Sequence, residues 1–324
     1  MRRKIMAAAG AAALALSLSA CGGGSTGNES GGGDGKPYVA IVSKGFQHQF
    51  WQAVKDGAEK AAKDYNVRIT FQGPDTESNV AQQIEMLTSA LNKNPDALAL
   101  AALDSKAAAP LLETAKSKDI PVVAFDSGVD SEIPVSTVAT DNKAAAAEAA
   151  KHMAKRIGGE GQVAIVAHDQ TSKSGKHRRD GFVNWMKKNA PGIEIVDIQY
   201  GGGDQLKSTD LAKAMIQANP KLDGLYGTNE GSAIGIVNAV QELGMKGDVT
   251  VVGFDSGKAQ LKAIRSGLMA GAVTQNPIGI GYKTVETAVK AMKGKDVKQT
   301  IDTGYYWYDK ENMDKPKIAE NLYK

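Results

Sequence analysis

The chain has 324 residues, 42% hydrophobic and 23% charged, which is enough apolar material for ordinary cores and a length that favours two domains over one. Its formal charge of +3 falls to 36 basic against 36 acidic residues once Arg2, Arg3 and Lys4 are set aside; no dense basic run remains, which argues against nucleic acid as a partner. A single cysteine, Cys21, rules out an intramolecular disulfide and a Cys-rich metal site.

The first element is a targeting segment over residues 1–20. Arg2, Arg3 and Lys4 form a positive start, and Ile5 to Ala20 is an apolar run shorter than the ~20 residues that span a bilayer. It ends in Leu18-Ser19-Ala20-Cys21, which resembles the bacterial lipobox: cleavage before Cys21 and lipidation of its sulfur are expected. Residues 21–36 are rich in Gly and Ser without apolar periodicity and read as a flexible tether.

From Tyr38 the pattern alternates. A strand at 39–42 precedes a helix over 50–65, with Trp51, Val54, Ala58 and Ala61 on one side. A strand at 67–71 and a helix at 79–92 follow, then a strand at 97–103, a helix at 105–117 and a strand at 120–125. An extended stretch at 135–140 leads to an Ala-rich helix that Asp141-Asn142 caps and Gly158-Gly159 ends. The pattern then restarts. Strands fall at 163–166, 193–198, 222–227 and 249–254; helical segments lie at 181–188, 206–218 and 232–243. A further extended stretch at 271–274 precedes a helix to Met292, and residues 302–308 alternate weakly. Such βαβα repetition predicts an α/β fold of parallel sheets with helices on both faces.

One phrase occurs twice: Val122-Val-Ala-Phe-Asp126-Ser-Gly and Val251-Val-Gly-Phe-Asp255-Ser-Gly. Each is a buried-strand run ending in a carboxylate, after three similar runs in its own half. Ligands of open α/β sheets bind outside the carboxyl ends of strands, so two like units are expected to aim Asp126 and Asp255 into a shared cleft. The plainer alternative, that each Asp caps the helix after it, is outweighed by their matching places at the strand ends.

The order of motifs resembles the ribose-binding group of type I solute-binding proteins of bacterial ABC importers. The resemblance runs over residues 38 to 310, on Ser43-Lys44-Gly45, Gln49-Phe50-Trp51, Ala102-Leu103-Asp104-Ser105, Arg178-Arg179-Asp180-Gly181-Phe182, Thr228-Asn229-Glu230, Val252-Gly253-Phe254-Asp255 and Thr274-Gln275-Asn276-Pro277. It implies two Rossmann-like lobes joined by a three-strand hinge, with crossovers near 137–142, 274–277 and 300–304. The first lobe would comprise residues 37–140 plus 276–302, and the second 141–275 plus 303–324.

The resemblance also implies a ligand, a small neutral sugar or polyol. Its hydroxyl edge needs fixed donors and acceptors, for which ionised carboxylates are strong partners, and its C–H faces accept flat rings. Phe50 and Trp51 align with paired aromatics that sandwich the sugar, although Trp51 alone reads equally as core. Arg178 aligns with an arginine that holds sugar oxygens; Arg179 beside Asp180 reads as a surface ion pair. Asn229 is either a ligand amide or a helix cap. Gln275 sits at a crossover, and Phe254 is a candidate opposing wall. Lys44 and His48, before the first helix, either donate to the ligand or are merely solvated, the latter being the plainer reading; Asp104 reads more simply as a cap. Three departures put ribose in doubt. Ser127 follows Asp126 where the pattern has Arg, Gly201-Gly202-Gly203 stands where an aromatic is usual, and Ala101 replaces an Asn.

The expected function is therefore capture of a neutral sugar or polyol by hinge closure and delivery to the permease subunits of an ABC importer. The protein is expected to be an extracytoplasmic monomer held to the bacterial membrane through Cys21. A sensor presenting its ligand to a membrane receptor or kinase would use the same parts. No nucleophile elbow, HExxH or Walker loop is present, and the histidines at 48, 152, 168 and 177 lack metal-ligand spacing; neither enzymatic turnover nor a metal or cofactor is expected. A repressor of this fold would need a helix-turn-helix where the leader and tether lie.

Overall fold

The computed structural model describes residues 35–323; the expected leader, Cys21 and nearly all of the tether lie outside the described residues. The first half carries strands β1 (Tyr38–Val42), β2 (Arg68–Gln72), β3 (Ala97–Leu100), β4 (Val122–Phe125) and β5 (Ser136–Ala139), with helices α1 (Gln49–Asp64), α2 (Val80–Asn92) and α3 (Ala109–Ser117) between them. Helix α4 (Asn142–Arg156) opens the second half. There β6 (Glu160–Ala167), β7 (Gly192–Tyr200), β8 (Leu222–Gly227), β9 (Thr250–Phe254) and β10 (Gly271–Gln275) alternate with α5 (Lys173–Asn189), α6 (Gln205–Ala218), α7 (Glu230–Glu242) and α8 (Lys258–Ser266). Helix α9 (Pro277–Met292), β11 (Thr300–Asp302), β12 (Tyr305–Tyr308) and the short α10 (Pro316–Ala319) complete the chain.

The strands form two sheets wound alike, in the orders β11-β5-β4-β3-β1-β2 and β12-β10-β9-β8-β6-β7. Pairings between these strands are parallel except that β12 runs antiparallel to β10. Parallel strands are covered on both faces, and their near-continuous apolar runs follow from that. In the first sheet Val39, Ile41, Ala97, Ala99, Val123 and Phe125 pack with Trp51, Val54, Ile280 and Val285. Their alternates Tyr38, Ala40, Val42, Leu98, Leu100 and Val122 pack with Leu87, Leu91 and Leu112 on the other face. The second sheet repeats this. Ala164, Val166, Leu225 and Val251 lie against residues of α6 and α7, whereas Ile165, Tyr226, Val252 and Phe254 lie against Met153 and Phe182 of α4 and α5. Each fully buried Leu, Ile or Phe contributes about 1.5–3 kcal/mol.

The chain passes from one sheet to the other at three points. β5 leads into α4, which packs on the second sheet; β10 leads into α9, which returns to α1; and β11 leads into β12. The α1–α9 contact depends on glycine: a Cβ at Gly57 would strike the Ile278 backbone, and one at Gly281 the Val54 carbonyl. Tyr323 ends in the first-lobe core beside Phe50 while Leu322 sits in the second, so the last residues touch both lobes.

Several elements differ from the sequence expectation, each for a local reason. α3 starts at Ala109 and not at 105, because Asp104 Oδ1 accepts the amides of Lys106 (2.8 Å) and Ala107 (3.0 Å) and folds this stretch into a turn. α5 begins well before residue 181, where Ser172 Oγ caps it by accepting from the Gly175 amide at 3.0 Å. α8 was not expected; Gln260 Oε1 reaches back to accept from the Gly257 amide at 3.1 Å and closes its first turn. Among the described residues no helix is long and apolar enough to cross a membrane.

Candidate functional site

The carboxyl ends of the two sheets face each other across a cleft. One enclosed space there is lined by Lys44, His48, Phe50, Trp51, Glu77 and Asp126 from the first lobe and by His168, Ser174, Arg178, Asn229, Asp255 and Gln275 from the second. Its free volume is about 10 Å³, room for a single water. Nine of the ten residues expected to bind ligand therefore converge.

Phe254 is the exception. Strand residues alternate between faces, so Phe254 points away from Asp255 into the layer beneath α4 and α5, fully buried beside Val252. It contributes indirectly: the Arg178 guanidinium lies over its ring, 3.9 Å from the centroid, a cation–π support.

Asp126 and Asp255 occupy the same place in their lobes. Each follows its strand in left-handed backbone conformation, with φ of 55° and 78°, which Asp tolerates better than most residues. Each donates its amide to the neighbouring strand, Asp126 to Val138 O (2.9 Å) and Asp255 to Val273 O (2.7 Å). Asp255 is then tied down: Oδ2 accepts from the Glu230 amide at 2.9 Å, Oδ1 accepts from Gln275 Nε2 at 2.7 Å, and Arg178 Nη1 lies 3.8 Å away. Asp126 is equally buried, but its Oδ1 has no partner. Burial raises its pKa to about 6, against the lowering influence of Lys44 and Arg178.

Arg178 is held rigidly. Its Nε donates to Asn142 Oδ1 at 2.6 Å and its Nη1 to Thr228 O at 3.1 Å. Arg179 pairs with Asp180 at 2.7 Å and donates to the Tyr200 hydroxyl at 2.8 Å, away from the cleft. Asn229 Oδ1 caps α7 by accepting from the Ser232 amide at 2.9 Å, and its Nδ2 donates across the cleft to Glu77 Oε2 at 3.2 Å.

Lys44 and His48 depart from the solvated reading; both are buried. Lys44 Nζ reaches across to Ser174 Oγ (3.4 Å), Ser172 Oγ (3.5 Å) and Asp169 Oδ2 (3.5 Å). Burial opposes its charge, but Asp169, Glu77 and Asp126 outweigh burial and raise its pKa above the usual lysine value. His48 makes no hydrogen bond from either ring nitrogen.

Glu77, His168, Ser174 and the adjacent Asp169 escaped the sequence reading. Glu77 lies in the turn after β2, and His168-Asp169 directly follow β6; the strand-end rule that singled out Asp126 would have singled them out too. Burial disfavours the Glu77 carboxylate, but Lys44, His48 and His168, with a hydrogen bond from Trp51, outweigh it and bring its pKa to about 2. Asp169 is likewise held well below the carboxylate range, burial being overcome by Lys44 and His168. Burial pushes His168 down to about 3, so its ring is neutral, with Nδ1 sharing a hydrogen at 2.7 Å with Thr228 Oγ1. Among the described residues no group of three or more His, Cys, Asp or Glu side chains is placed to hold a metal.

Direct bonds join the lobes at the cleft rim. The Gln49 and Phe50 amides at the start of α1 donate to the Glu230 carboxylate at 3.3 Å each, and the Lys258 amide donates to Gln49 Oε1 at 2.6 Å. Thr171 Oγ1 donates to Leu103 O at 3.0 Å, and the Ser174 amide to Ser127 Oγ at 3.3 Å.

Comparison with known proteins gives a consistent picture. The periplasmic binding protein domain family model matches residues 39–296. The D-allose-binding periplasmic protein of Escherichia coli strain K12 is 31% identical over 266 residues, covering 80% of this chain and 85% of that protein. The xylitol-binding protein of Mycolicibacterium smegmatis is 28% identical over 296 residues, 91% of this chain and 82% of that one. A carbohydrate transporter solute binding protein from Agrobacterium radiobacter, solved in complex with D-arabinose, superposes with a TM-score of 0.86 at 32% identity, covering 90% of this chain and 100% of that one.

Proposed function

We propose, from the premise that this chain belongs to the periplasmic binding protein family, that it captures a neutral sugar or polyol between its lobes and delivers it to the permease subunits of an ABC importer. One observation carries the reading. Buried polar atoms without hydrogen-bond partners gather in the cleft from both lobes: Asp126 Oδ1, Gln275 Oε1 and both ring nitrogens of His48. Buried polar atoms are ordinarily paired, so a cluster of unpaired acceptors and donors around Phe50 and Trp51 suits a ligand with hydroxyls on its edge and C–H on its face.

Lys44, His48, Phe50, Trp51, Asp126, Arg178, Asn229, Asp255 and Gln275 are the proposed binding residues, with Phe254 as a support for Arg178. A free volume of about 10 Å³ is far below that of a monosaccharide, so the ligand enters as the lobes part. Closure then adds second-lobe contacts that the open form lacks, which is the differential affinity that drives the change. The lobes are proposed to be residues 37–140 plus 276–302 and 141–275 plus 303–324, with Tyr323 bridging both.

The body is proposed to work as an extracytoplasmic monomer tethered by a lipid on Cys21. Thermal melting of the full-length protein against pentoses, hexoses, alditols and inositols tests the binding reading. A ligand at ~100 times its dissociation constant adds about 2.7 kcal/mol; no shift across the panel would overturn the reading. Cys21→Ser should move the protein from the membrane fraction to the soluble fraction, and unchanged fractionation would remove the lipid anchor.

A further inference from the structure

The two walls of the cleft differ in chemistry. Phe50 and Trp51, both on α1 of the first lobe, are the only phenylalanine, tyrosine or tryptophan side chains in the lining. The second lobe lines the cleft with His168, Ser174, Arg178, Asn229, Asp255 and Gln275, and brings no apolar side chain. Its loop Gly201-Gly202-Gly203 has no side chain to offer, and the space over it is taken from across the cleft. A Cβ at Gly203 would lie 2.9 Å from Glu77 Oε2 and 3.1 Å from Asn229 Nδ2; its φ of 71° disfavours a side chain in any case.

Glu77 thus stands where a second ring would have to go. It is 7% exposed. Oε1 accepts from Trp51 Nε1 at 2.7 Å, Oε2 accepts from Asn229 Nδ2 at 3.2 Å, and His48 Nε2 lies 3.8 Å from Oε2. One carboxylate therefore orients two residues of the proposed site, Trp51 and Asn229, the second of them on the opposite lobe.

Building on the solute-binding reading, we propose that Glu77 is a specificity-determining residue that makes the cleft select open-chain polyols over pyranose rings. A pyranose carries C–H patches on both faces. One face suits Phe50 and Trp51, but the other would lay C–H against a carboxylate and an amide and supply no donors, leaving the remaining buried lone pairs of Glu77 without hydrogen bonds. An open-chain polyol turns about its C–C bonds. It can lay carbon against the two rings and direct hydroxyls toward Glu77, Asn229 and the unpaired oxygen of Asp126. Carboxylates that accept from hydroxyl groups form the stronger, charge-assisted bonds.

The test is calorimetric titration of the full-length protein with matched pairs: ribitol and D-ribose, xylitol and D-xylose, D-glucitol and D-glucose, D-mannitol and D-mannose. The tightest ligand should be an alditol, about tenfold or more tighter than its aldose, since a site built for hydrogen bonding rejects partners that cannot supply them. Glu77→Ala should reduce that ratio by about tenfold or more. Glu77→Gln keeps the volume and an acceptor for Trp51, so Trp fluorescence should change little while the ratio still falls; this separates selection from support of the Trp51 ring, and serves if Glu77→Ala does not fold. An aldose binding more tightly than its alditol in every pair, or an unchanged ratio in the Gln variant, overturns the inference and leaves the solute-binding reading standing. Binding of neither class to the wild type overturns both.

Discussion

The corner that holds Asp126 and the corner that holds Asp255 are built alike and behave differently. Strand, phenylalanine, left-handed aspartate and the amide bond to the next strand repeat almost atom for atom. Yet Asp255 is braced by the Glu230 amide, Gln275 and Arg178, whereas Asp126 keeps an unpaired buried oxygen and a raised pKa. Local sequence reproduces the shape of a strand end, but the charge environment is set by what other elements bring near it. One aspartate is braced on both oxygens and the other keeps a buried oxygen without a partner.

The sharpest way to break that contrast is to remove the brace. Arg178→Ala strands Asn142, Thr228 O and Asp255 in a buried site, so unfolding free energy should fall by about 3–5 kcal/mol, measurable by urea denaturation. A loss under ~1 kcal/mol would mean that the second corner is no more tied than the first.

Asp126→Asn should do the opposite. It relieves a desolvated carboxylate and breaks no hydrogen bond of the protein, so stability should change by less than about 1 kcal/mol or rise. Affinity for the solute should fall about tenfold or more, the loss of a charge-assisted bond. Destabilisation matching that of Asp255→Asn would erase the distinction.

A subtler effect lies in pH. A carboxyl whose pKa is raised from 3.8 to about 6 gives stability that is full below pH ~4 and is lost as pH rises through 6. Glu230, raised by burial from 4.5 to about 7, does the same up to pH 7. Between pH 4 and 8 the wild type should therefore lose about 1–3 kcal/mol relative to Asp126→Asn. Parallel stability–pH curves for the two would show that Asp126 titrates as if exposed.

The smallest expected effect concerns the ligand. With Ser127 in place of Arg and glycines in place of an aromatic, D-ribose should not be the tightest sugar in a titration panel.

Much of the site was legible along the chain. Phe50, Trp51, Asp126, Asn229, Asp255 and Gln275 sit at strand ends or helix starts, positions that a one-dimensional pattern marks, whereas Arg178, in the second turn of α5, is marked by the family resemblance. Phe254 was misplaced because it neighbours Asp255 in sequence, while the two-residue period of a strand turns neighbours to opposite faces. Lys44 and His48 looked solvated because their loop is polar; they are buried only because the second lobe covers them. The strand-end rule covers Glu77, in the turn after β2, but nothing in Asp75-Thr76-Glu77-Ser78 shows that Asn229 and Gly203, far along the chain, stand against it.

Read along the chain alone, the residues carry the order of strands and helices other than α8, the restart that makes two like lobes, and the two aspartates at matching strand ends. Those features rest on local periodicity and on a repeated phrase, which need no partner to be read. Tertiary structure alone decided which aspartate is braced, which lysine and histidine are buried, and that a carboxylate from one lobe meets the glycine loop of the other. Burial and charge pairing depend on distances between residues far apart in the chain, and those distances exist only once both sheets have formed and the three crossovers have set the lobes face to face.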